Sequence, residues 1–166
     1  MMGAGKTTVG RLLARRLKRR FHDTDEEIER RCGVRIPVIF DIEGEAGFRA
    51  RESQMIEELC ALDNAVIATG GGAVLAESNR RAIAGSGVVI YLHARPPQLW
   101  QRVRHDRNRP LLATADPQKK LEELYAQRDP LYREVADLII DTGKQSVQTL
   151  AKDLLAHLEG KCSLSA

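Results

Sequence analysis

The chain has 166 residues, 43% hydrophobic and 30% charged, so it can build one ordinary globular domain and is too short for two of average size. A net charge of +3 and an aromatic content of 4% argue against a polybasic nucleic-acid surface and against an RNA-stacking platform. No apolar run reaches the roughly eighteen residues of a membrane span, and no signal-peptide segment begins the chain, so we expect a cytoplasmic protein that engages neither nucleic acid nor membrane.

The predicted elements alternate between helices and short strands. Residues 7–20 place Val9, Leu13 and Leu17 on one face of an amphipathic helix, and the Gly-rich segment before it forms its N-terminal loop. Four short apolar runs follow along the chain, and most of them lead into a helical stretch: 21–23, 65–68, 88–92 and 138–140. This alternation predicts an α/β fold in which helices cover both faces of a parallel sheet.

Glycine and proline mark the helix boundaries and one irregular segment. Helix ends are predicted at four glycines: Gly33, Gly44, Gly85 and Gly87. A helix start is predicted at Pro97, and the last helix covers about 146–160. Residues 104–117 show little apolar periodicity and contain two bounding prolines, so they are predicted to form a mobile loop.

The strongest chemical signal is Gly3-Ala4-Gly5-Lys6-Thr7, which leads directly into the first helix. Backbone N–H groups in a Gly-rich loop can hold phosphate oxygens, Lys6 would reach the β- and γ-phosphates, and the Thr7 hydroxyl would bind Mg²⁺. The alternative is a flexible Gly/Ala terminus before an exposed helix. The segment departs from the full GxxxxGK[ST] pattern, because the first glycine and the strand that precedes such a loop are absent from the sequence.

Two carboxylates, Asp23 and Asp25, follow the first apolar run. Strand alternation would aim both to the same side, at the carboxyl edge of the sheet beside the phosphate loop. Such a pair can hold the water shell of a metal and accept a hydrogen bond from a hydroxyl nucleophile, as phosphoryl transfer requires. The alternative is a helix N-cap followed by acidic residues in the first turn.

Three consecutive glycines, Gly70, Gly71 and Gly72, follow the apolar run 65–68. Their backbone freedom costs conformational entropy, which indicates that a ligand approaches the bare backbone closely. The alternative is a permissive loop.

Arginines supply the remaining signal. Arg49 stands three residues before Glu52 on one helical face, and Arg128 precedes Asp-Pro-Leu-Tyr. Between residues 95 and 110 there are five arginines and one acidic residue. Guanidinium groups bind phosphates and carboxylates through paired donors, so an Arg-rich mobile segment beside a nucleotide site predicts a closing lid. The alternative is a solvated surface loop.

Six segments resemble shikimate kinase, of the nucleoside-monophosphate-kinase branch of P-loop proteins, in their order and spacing: GAGKTT, FHDTDEEIE, GEAGFRARE, TGGGAV, RNRPLL and QRDPLYREVAD. The resemblance spans residues 1–155. It implies a three-layer α/β/α P-loop kinase fold with a central five-stranded parallel sheet whose first strand is absent here. It also implies a single domain over 1–166, with a substrate-binding segment at about 23–52 and a lid at about 104–117.

The activity implied by the resemblance is the MgATP-dependent phosphorylation of the 3-hydroxyl of shikimate to shikimate 3-phosphate, on the route to chorismate and the aromatic amino acids. The resemblance also implies a monomer, the usual oligomeric state in this family. The implied cofactor is Mg²⁺, and ATP is the co-substrate.

For ATP and Mg²⁺, the resemblance assigns phosphate binding and catalysis to Lys6 and a metal contact to Thr7, with Asp23 reaching the metal through water. Arg109 matches the lid arginine that swings over the transferring phosphate, and Arg102 matches the residue that flanks adenine. The remaining members of the phosphate cradle are Gly3, Ala4, Gly5 and Thr8.

For the substrate, Asp25 matches the carboxylate that holds shikimate hydroxyls and acts as a base. Arg49, oriented by Glu52, and Arg128 match the pair that grips the shikimate carboxylate. The backbone wall beside the ring is formed by Gly70, Gly71 and Gly72, and the ring pocket is lined by Phe40 and Phe48.

Two alternatives stay open at this stage. A related small-molecule kinase, such as a gluconate kinase, would share the phosphate loop and lid but lack the substrate grip of Arg49 and Arg128. A non-catalytic ligand-sensing module would keep the fold with an incomplete phosphate loop. We also expect the natural chain to start roughly ten residues upstream of Met1, the length of a strand plus the missing glycine turn.

Overall fold

The computed structural model describes residues 1–106, 110–143 and 146–162. The helices are α1 (Lys6–Leu17), α2 (Thr24–Cys32), α3 (Ile36–Cys60), α4 (Glu77–Ser86), α5 (Pro96–Val103), α6 (Pro117–Val135) and α7 (Val147–Cys162). The strands are β1 (Arg20–Asp23), β2 (Ala65–Ala68), β3 (Ile90–His93) and β4 (Leu138–Asp141). Short 3₁₀ turns occupy Ala73–Leu75 and Pro110–Leu112.

All four described strands pair in parallel, as the alternation of helices and strands predicts. Arg20 of β1 lies opposite Ala65 of β2, and Ile90 of β3 lies opposite Leu138 of β4. The two pairs form separate two-stranded sheets, because no ladder of backbone hydrogen bonds joins β2 to β3 in the described ranges. The predicted parallel α/β arrangement is confirmed, and in the described residues the four strands form two separate pairs.

The first helix has the predicted amphipathic pattern. Val9 and Leu13 are buried, whereas Arg11 and Arg15 are exposed on the opposite face. α1 packs against β1, β2 and α7. A Cβ at Gly10 would lie 2.6 Å from the ring of Phe21, so a glycine here lets the helix approach β1 closely.

A break in the backbone of α3 occurs at Gly44. Its φ of 68° and ψ of −176° fall in a region that only glycine occupies at low cost. The helix end predicted at Gly44 is thus a kink within one longer element. The ends predicted at Gly33 and Gly87 are confirmed, whereas Gly85 lies inside α4.

Apolar side chains form two buried clusters. The larger cluster draws on α1, β3, α5, α6 and α7 and includes Met1 and Met2. The smaller cluster lies where α2 packs against α3, and its buried members are Ile28, Ile39, Phe48, Met55 and Leu59. No helix in the described part of the chain is both long and apolar enough to cross a membrane.

The segment predicted as a mobile lid, 104–117, is described in part. Residues 110–112 form a 3₁₀ turn, and the Asp116 side chain caps α6 by accepting a hydrogen bond from the Lys119 backbone N–H at 3.0 Å. Arg109, the lid arginine of the sequence analysis, lies outside the described residues.

Candidate active site

The phosphate loop ends in left-handed backbone and runs directly into a helix. Gly3 and Gly5 have φ values of 72° and 90°, and Gly5 is the N-cap of α1. A Cβ at Gly3 would lie 2.7 Å from Val103 Cγ1, so packing against α5 also requires glycine here. Ala4 is buried and Thr8 is exposed in the first turn of α1. Backbone N–H groups at a helix start are ready donors for an anion, so this geometry suits a phosphate group.

Side chains at the start of α1 meet the end of β1. The Thr7 hydroxyl donates a hydrogen bond to Asp23 Oδ2 at 2.7 Å. The Lys6 ammonium donates to the carbonyl oxygen of Met1 at 2.8 Å. The structure thus brings together the hydroxyl and the carboxylate that the sequence analysis assigns to Mg²⁺.

The two aspartates of the DTD segment lie in different elements. β1 ends at Asp23 and α2 begins at Thr24, so the prediction that strand alternation aims both carboxylates to one side is wrong. Asp23 caps α2, where its Oδ1 accepts from the Asp25 N–H at 3.1 Å, and it faces Thr7. Asp25 instead lines a cleft beside Gly70. The helix-cap alternative is confirmed too, because the first turn of α2 is acidic.

The cleft is lined by residues that pack with both apolar clusters. The rings of Phe40 and Phe48 have centroids 4.9 Å apart and supply apolar surface from the smaller cluster. Met2 and Leu111 come from the larger cluster. The charged side chains in the lining include Asp25, Glu29, Arg35, Arg49, Glu52 and Arg128. A small ligand with an apolar ring face and an anionic group would find matching surfaces here.

Arg49 is held by two carboxylates. Its Nη1 donates to Glu52 Oε2 at 2.7 Å, and its Nη2 donates to Glu45 Oε1 at 2.9 Å. Burial lowers the pKa of Arg49, but Glu52 and Glu45 more than offset this, so the pKa is raised and the guanidinium stays charged. Burial raises the pKa of the fully buried Glu52 against the attraction of Arg49. The prediction that Glu52 orients Arg49 is confirmed.

Arg128 is a buried cation. It is 2% exposed, and its Nη1 donates to the carbonyl oxygen of Gly71 at 3.0 Å. Burial lowers its pKa, and the nearby Arg49 lowers it further. Its Nε is buried and makes no hydrogen bond in the described part of the chain. A desolvated guanidinium that bonds a neutral carbonyl and lies near a second cation favours the binding of an anion.

The three glycines form a wall of bare backbone along the cleft. A Cβ at Gly72 would collide with the guanidinium of Arg49, and a Cβ at Gly70 would lie 2.7 Å from Asp25 Oδ1. Side chains here would displace the polar groups of the cleft. The groups that lie closest to this backbone include the side chains of Arg49 and Asp25, and the approach of a ligand to the glycines stays a prediction.

Arg102 links the phosphate loop to the end of β4. It donates from Nη1 to the Gly3 carbonyl and to Thr142 Oγ1, both at 3.2 Å, and from Nη2 to the Thr142 carbonyl at 2.8 Å. Its guanidinium therefore lies beside the loop that would carry a nucleotide's phosphates. The adenine contact predicted near 144–146 falls largely outside the described residues.

Comparison with known proteins decides the family. The family model described as shikimate kinase matches residues 2–159. The chain belongs to the shikimate kinase family. Shikimate kinase of Cupriavidus pinatubonensis is 62% identical over 159 residues, which is 96% of this chain and 83% of that protein. Shikimate kinase of Burkholderia pseudomallei is 60% identical over 96% of this chain and 86% of its own length.

Solved shikimate kinases have the same fold. The structure of shikimate kinase from Acinetobacter baumannii in complex with shikimate matches with a TM-score of 0.93 at 47% identity, over 96% of this chain and 89% of that one. Shikimate kinase from Aquifex aeolicus matches with a TM-score of 0.84 at 33% identity, over 98% of this chain and 94% of that one. The P-loop kinase fold is therefore confirmed, and the chain is an ATP-dependent kinase of the shikimate kinase family, not a gluconate kinase or a non-catalytic sensor.

Two polar residues behind the site of this shikimate kinase family member were not predicted from the sequence. Thr24 is fully buried, and its Oγ1 accepts a hydrogen bond from the Gly70 N–H at 2.8 Å. The Tyr132 hydroxyl donates to the Gly71 carbonyl at 2.5 Å. The available signals were the position of Thr24 between two aspartates and the position of Tyr132 in the Asp-Pro-Leu-Tyr segment after Arg128.

Proposed function

We propose that the cleft binds shikimate and that the enzyme transfers the γ-phosphoryl group of ATP to its 3-hydroxyl, which gives shikimate 3-phosphate and ADP. One observation carries the proposal: two largely buried guanidinium groups, Arg49 and Arg128, line the same cleft as the carboxylate of Asp25. The relative from Acinetobacter baumannii, solved with shikimate, supports the assignment.

Arg49 and Arg128 bind the substrate carboxylate. Guanidinium groups donate paired hydrogen bonds to a carboxylate, and the low exposure of both side chains strengthens the attraction by excluding water. Phe40 and Phe48 cover the carbon ring, and the backbone of Gly70–Gly72 bounds it. An uncharged polyol would leave Arg128 bonded to a neutral carbonyl, with no ion pair to it among the described residues, so the site selects a carboxylated ring.

Asp25 accepts the proton of the 3-hydroxyl. It stands at the second position of α2, beside Gly70 in the cleft lining, where a substrate hydroxyl would reach it. A carboxylate that accepts a hydrogen bond from an attacking hydroxyl orients that nucleophile and takes its proton as the new P–O bond forms.

Lys6 and the N-terminus of α1 hold the phosphates of ATP, since a loose phosphoryl-transfer transition state is stabilised mainly by positioned cations and N–H donors. Arg102 lies beside this loop and flanks the nucleotide. Arg109 closes over the transferring phosphate as part of the lid at 104–117, which also keeps water from ATP. The chain works as one domain and as a monomer, with the substrate segment at 23–52.

Thr7 and Asp23 fit a magnesium site. A hydroxyl and a carboxylate oxygen 2.7 Å apart are the hard oxygen donors that Mg²⁺ prefers. In the described ranges no group of three or more His, Cys, Asp or Glu could hold a metal, and Mg²⁺ in kinases takes most of its ligands from water and phosphate oxygens. Thr7 would bind the ion directly and Asp23 through water. When bound, Mg²⁺ neutralises the phosphate charge.

The test is a coupled assay of ADP release with ATP, Mg²⁺ and shikimate. We expect shikimate-dependent turnover in the wild type and a loss of about 10²- to 10³-fold in Lys6→Ala, because a positioned cation is removed from the phosphates. Lys152→Ala, an exposed lysine of α7, is the matched control and should turn over normally. ADP release that does not depend on shikimate, or equal rates in the two variants, would contradict the proposal.

A further inference from the structure

Side chains from two helices hold consecutive residues of the glycine wall. The Gly70 N–H donates to Thr24 Oγ1, on α2, at 2.8 Å. The Gly71 carbonyl accepts from the Tyr132 hydroxyl at 2.5 Å and from Arg128 Nη1 at 3.0 Å, both on α6. The wall is thus fixed to the helix that carries Asp25 and to the helix that carries Arg128.

The segment after the wall is fixed in the same way. Asn79 Nδ2 donates to the Ala73 carbonyl at 3.0 Å, and Arg80 Nη1 donates to the carbonyls of Val74 and Leu75 at 2.8 and 3.2 Å. The wall therefore has little room to shift along the chain, and its distance from Asp25 depends on the bond to Thr24.

The bond to Thr24 is enclosed in protein. Thr24 is 0% exposed and Tyr132 is 8% exposed. A buried N–H that loses its acceptor costs free energy unless the backbone moves toward water or another acceptor. Gly70 is closely packed against Asp25 Oδ1, so such a movement would change the separation of these two residues.

We propose that Thr24 and Tyr132 are positioning residues, which fix the glycine backbone at the distance from Asp25 and Arg128 that the substrate ring requires. The proposal rests on the function proposed above. Neither side chain is among the described residues that line the cleft, so each acts through Gly70 or Gly71 rather than on the substrate. Each residue of the DTD segment then has its own role. Asp23 contacts Thr7, Thr24 holds the glycine wall, and Asp25 lines the cleft.

The first test compares Thr24→Val with Thr24→Ser in steady-state kinetics. Valine matches the shape of threonine but cannot accept the Gly70 hydrogen bond, so the KM for shikimate should rise about tenfold. The KM for ATP should change by less than about twofold, since the phosphate loop keeps its own contacts. Serine restores the hydroxyl and should bring the KM for shikimate to within about threefold of the wild type.

The second test compares Tyr132→Phe with Tyr91→Phe. Both changes remove one buried hydroxyl: Tyr91 donates to Asp129 Oδ1 at 2.8 Å, and the two rings stack with centroids 4.7 Å apart. Of these two tyrosines, Tyr132 is the one whose hydroxyl bonds to the glycine wall. Tyr132→Phe should therefore raise the KM for shikimate about fivefold, while Tyr91→Phe leaves that KM unchanged.

Equal shikimate KM values in Thr24→Val and Thr24→Ser, or in the two tyrosine variants, would overturn the positioning role while the wild-type activity stands. A proportional rise in the KM for ATP would overturn it as well, since it would indicate a general structural defect. If thermal melting shows that Thr24→Val is unfolded, the tyrosine pair decides the question. A wild type without shikimate-dependent turnover would overturn the proposed function, and this inference with it.

Discussion

At the scale of single residues, the selectivity proposed for the site rests on buried charge. Glu52 is fully buried opposite Arg49, so one charge offsets the other. Arg128 is almost as buried, but its Nη1 donates to the neutral carbonyl of Gly71. Among the described residues the cleft therefore holds a cation without an ion pair, and such a site lowers the free energy of an anion more than that of a neutral ligand.

Asp25 carries the first prediction at this scale. Asp25→Asn keeps the size of the side chain but removes its ability to take a proton, so kcat should fall by about 10²- to 10⁴-fold. The affinity for ATP should stay within about twofold, because the contact with the phosphate loop is made by Asp23. Equilibrium binding of ATP and steady-state turnover check the two halves separately.

The matched control is Asp41→Asn, an exposed aspartate on α3 in the same substrate segment, and its turnover should be unchanged. A parallel loss of ATP affinity in Asp25→Asn would mean that this carboxylate serves the nucleotide.

Residues with charge or unusual backbone freedom could be predicted as site members from the sequence. Arg49, Arg128 and the three glycines were found because their residue types are costly unless a ligand or a close contact requires them. Thr24 was missed because a threonine at a helix start is ordinary, and only the tertiary contact with Gly70 distinguishes it. The separate directions of Asp23 and Asp25 also depend on one local event, the start of α2 at Thr24.

At the scale of elements, the kink in α3 decides how the substrate segment presents its side chains. Phe40 lies before Gly44, whereas Phe48 and Arg49 lie after it, and all three line the cleft. A straight helix would rotate the second half relative to the first. The shape of the ring pocket therefore depends on the positive φ that a glycine at position 44 allows.

Gly44→Ala should destabilise the protein by about 1 to 3 kcal/mol, because an L side chain is strained at this φ and ψ. The KM for shikimate should rise in the same variant. Gly85→Ala is the control, and its effect on the free energy of unfolding should have the opposite sign. Gly85 lies inside α4, and a Cβ there would meet nothing within 4 Å. Alanine should therefore stabilise the helix by roughly 0.5 to 1 kcal/mol. Urea denaturation measures both changes, and a neutral Gly44→Ala would contradict the strain argument.

At the scale of the whole molecule, the local pattern of apolar residues predicted the helices and strands but not how they pack together. Each strand was found within about two residues, because a short apolar run between turn signals has few other interpretations. Which strands pair with each other was not predicted, since strand pairing joins residues far apart in sequence, such as His22 with Ile67 and Tyr91 with Ile139. The position of the cleft between two apolar clusters likewise follows from packing that no local window contains.

That position makes the substrate a link between the two clusters, so binding should stabilise the whole domain. A ligand that binds only the folded state at about 100 times its Kd adds about 2.7 kcal/mol, which for a domain of this size raises Tm by roughly 5 to 11 °C. The methyl ester of shikimate, at the same concentration, lacks the anion and should give a much smaller shift.

Scanning calorimetry of wild type and Arg49→Gln, each compared with its own ligand-free sample, separates ligand binding from any loss of intrinsic stability. Arg49→Gln should lose most of the shift with shikimate, because one of two guanidinium partners is gone and Glu52 is left buried without its cation. Equal shifts for the acid and the ester in the wild type would mean that the carboxylate lies outside the reach of Arg49 and Arg128. The difference between the two ligands therefore measures what the buried cations contribute, independently of turnover.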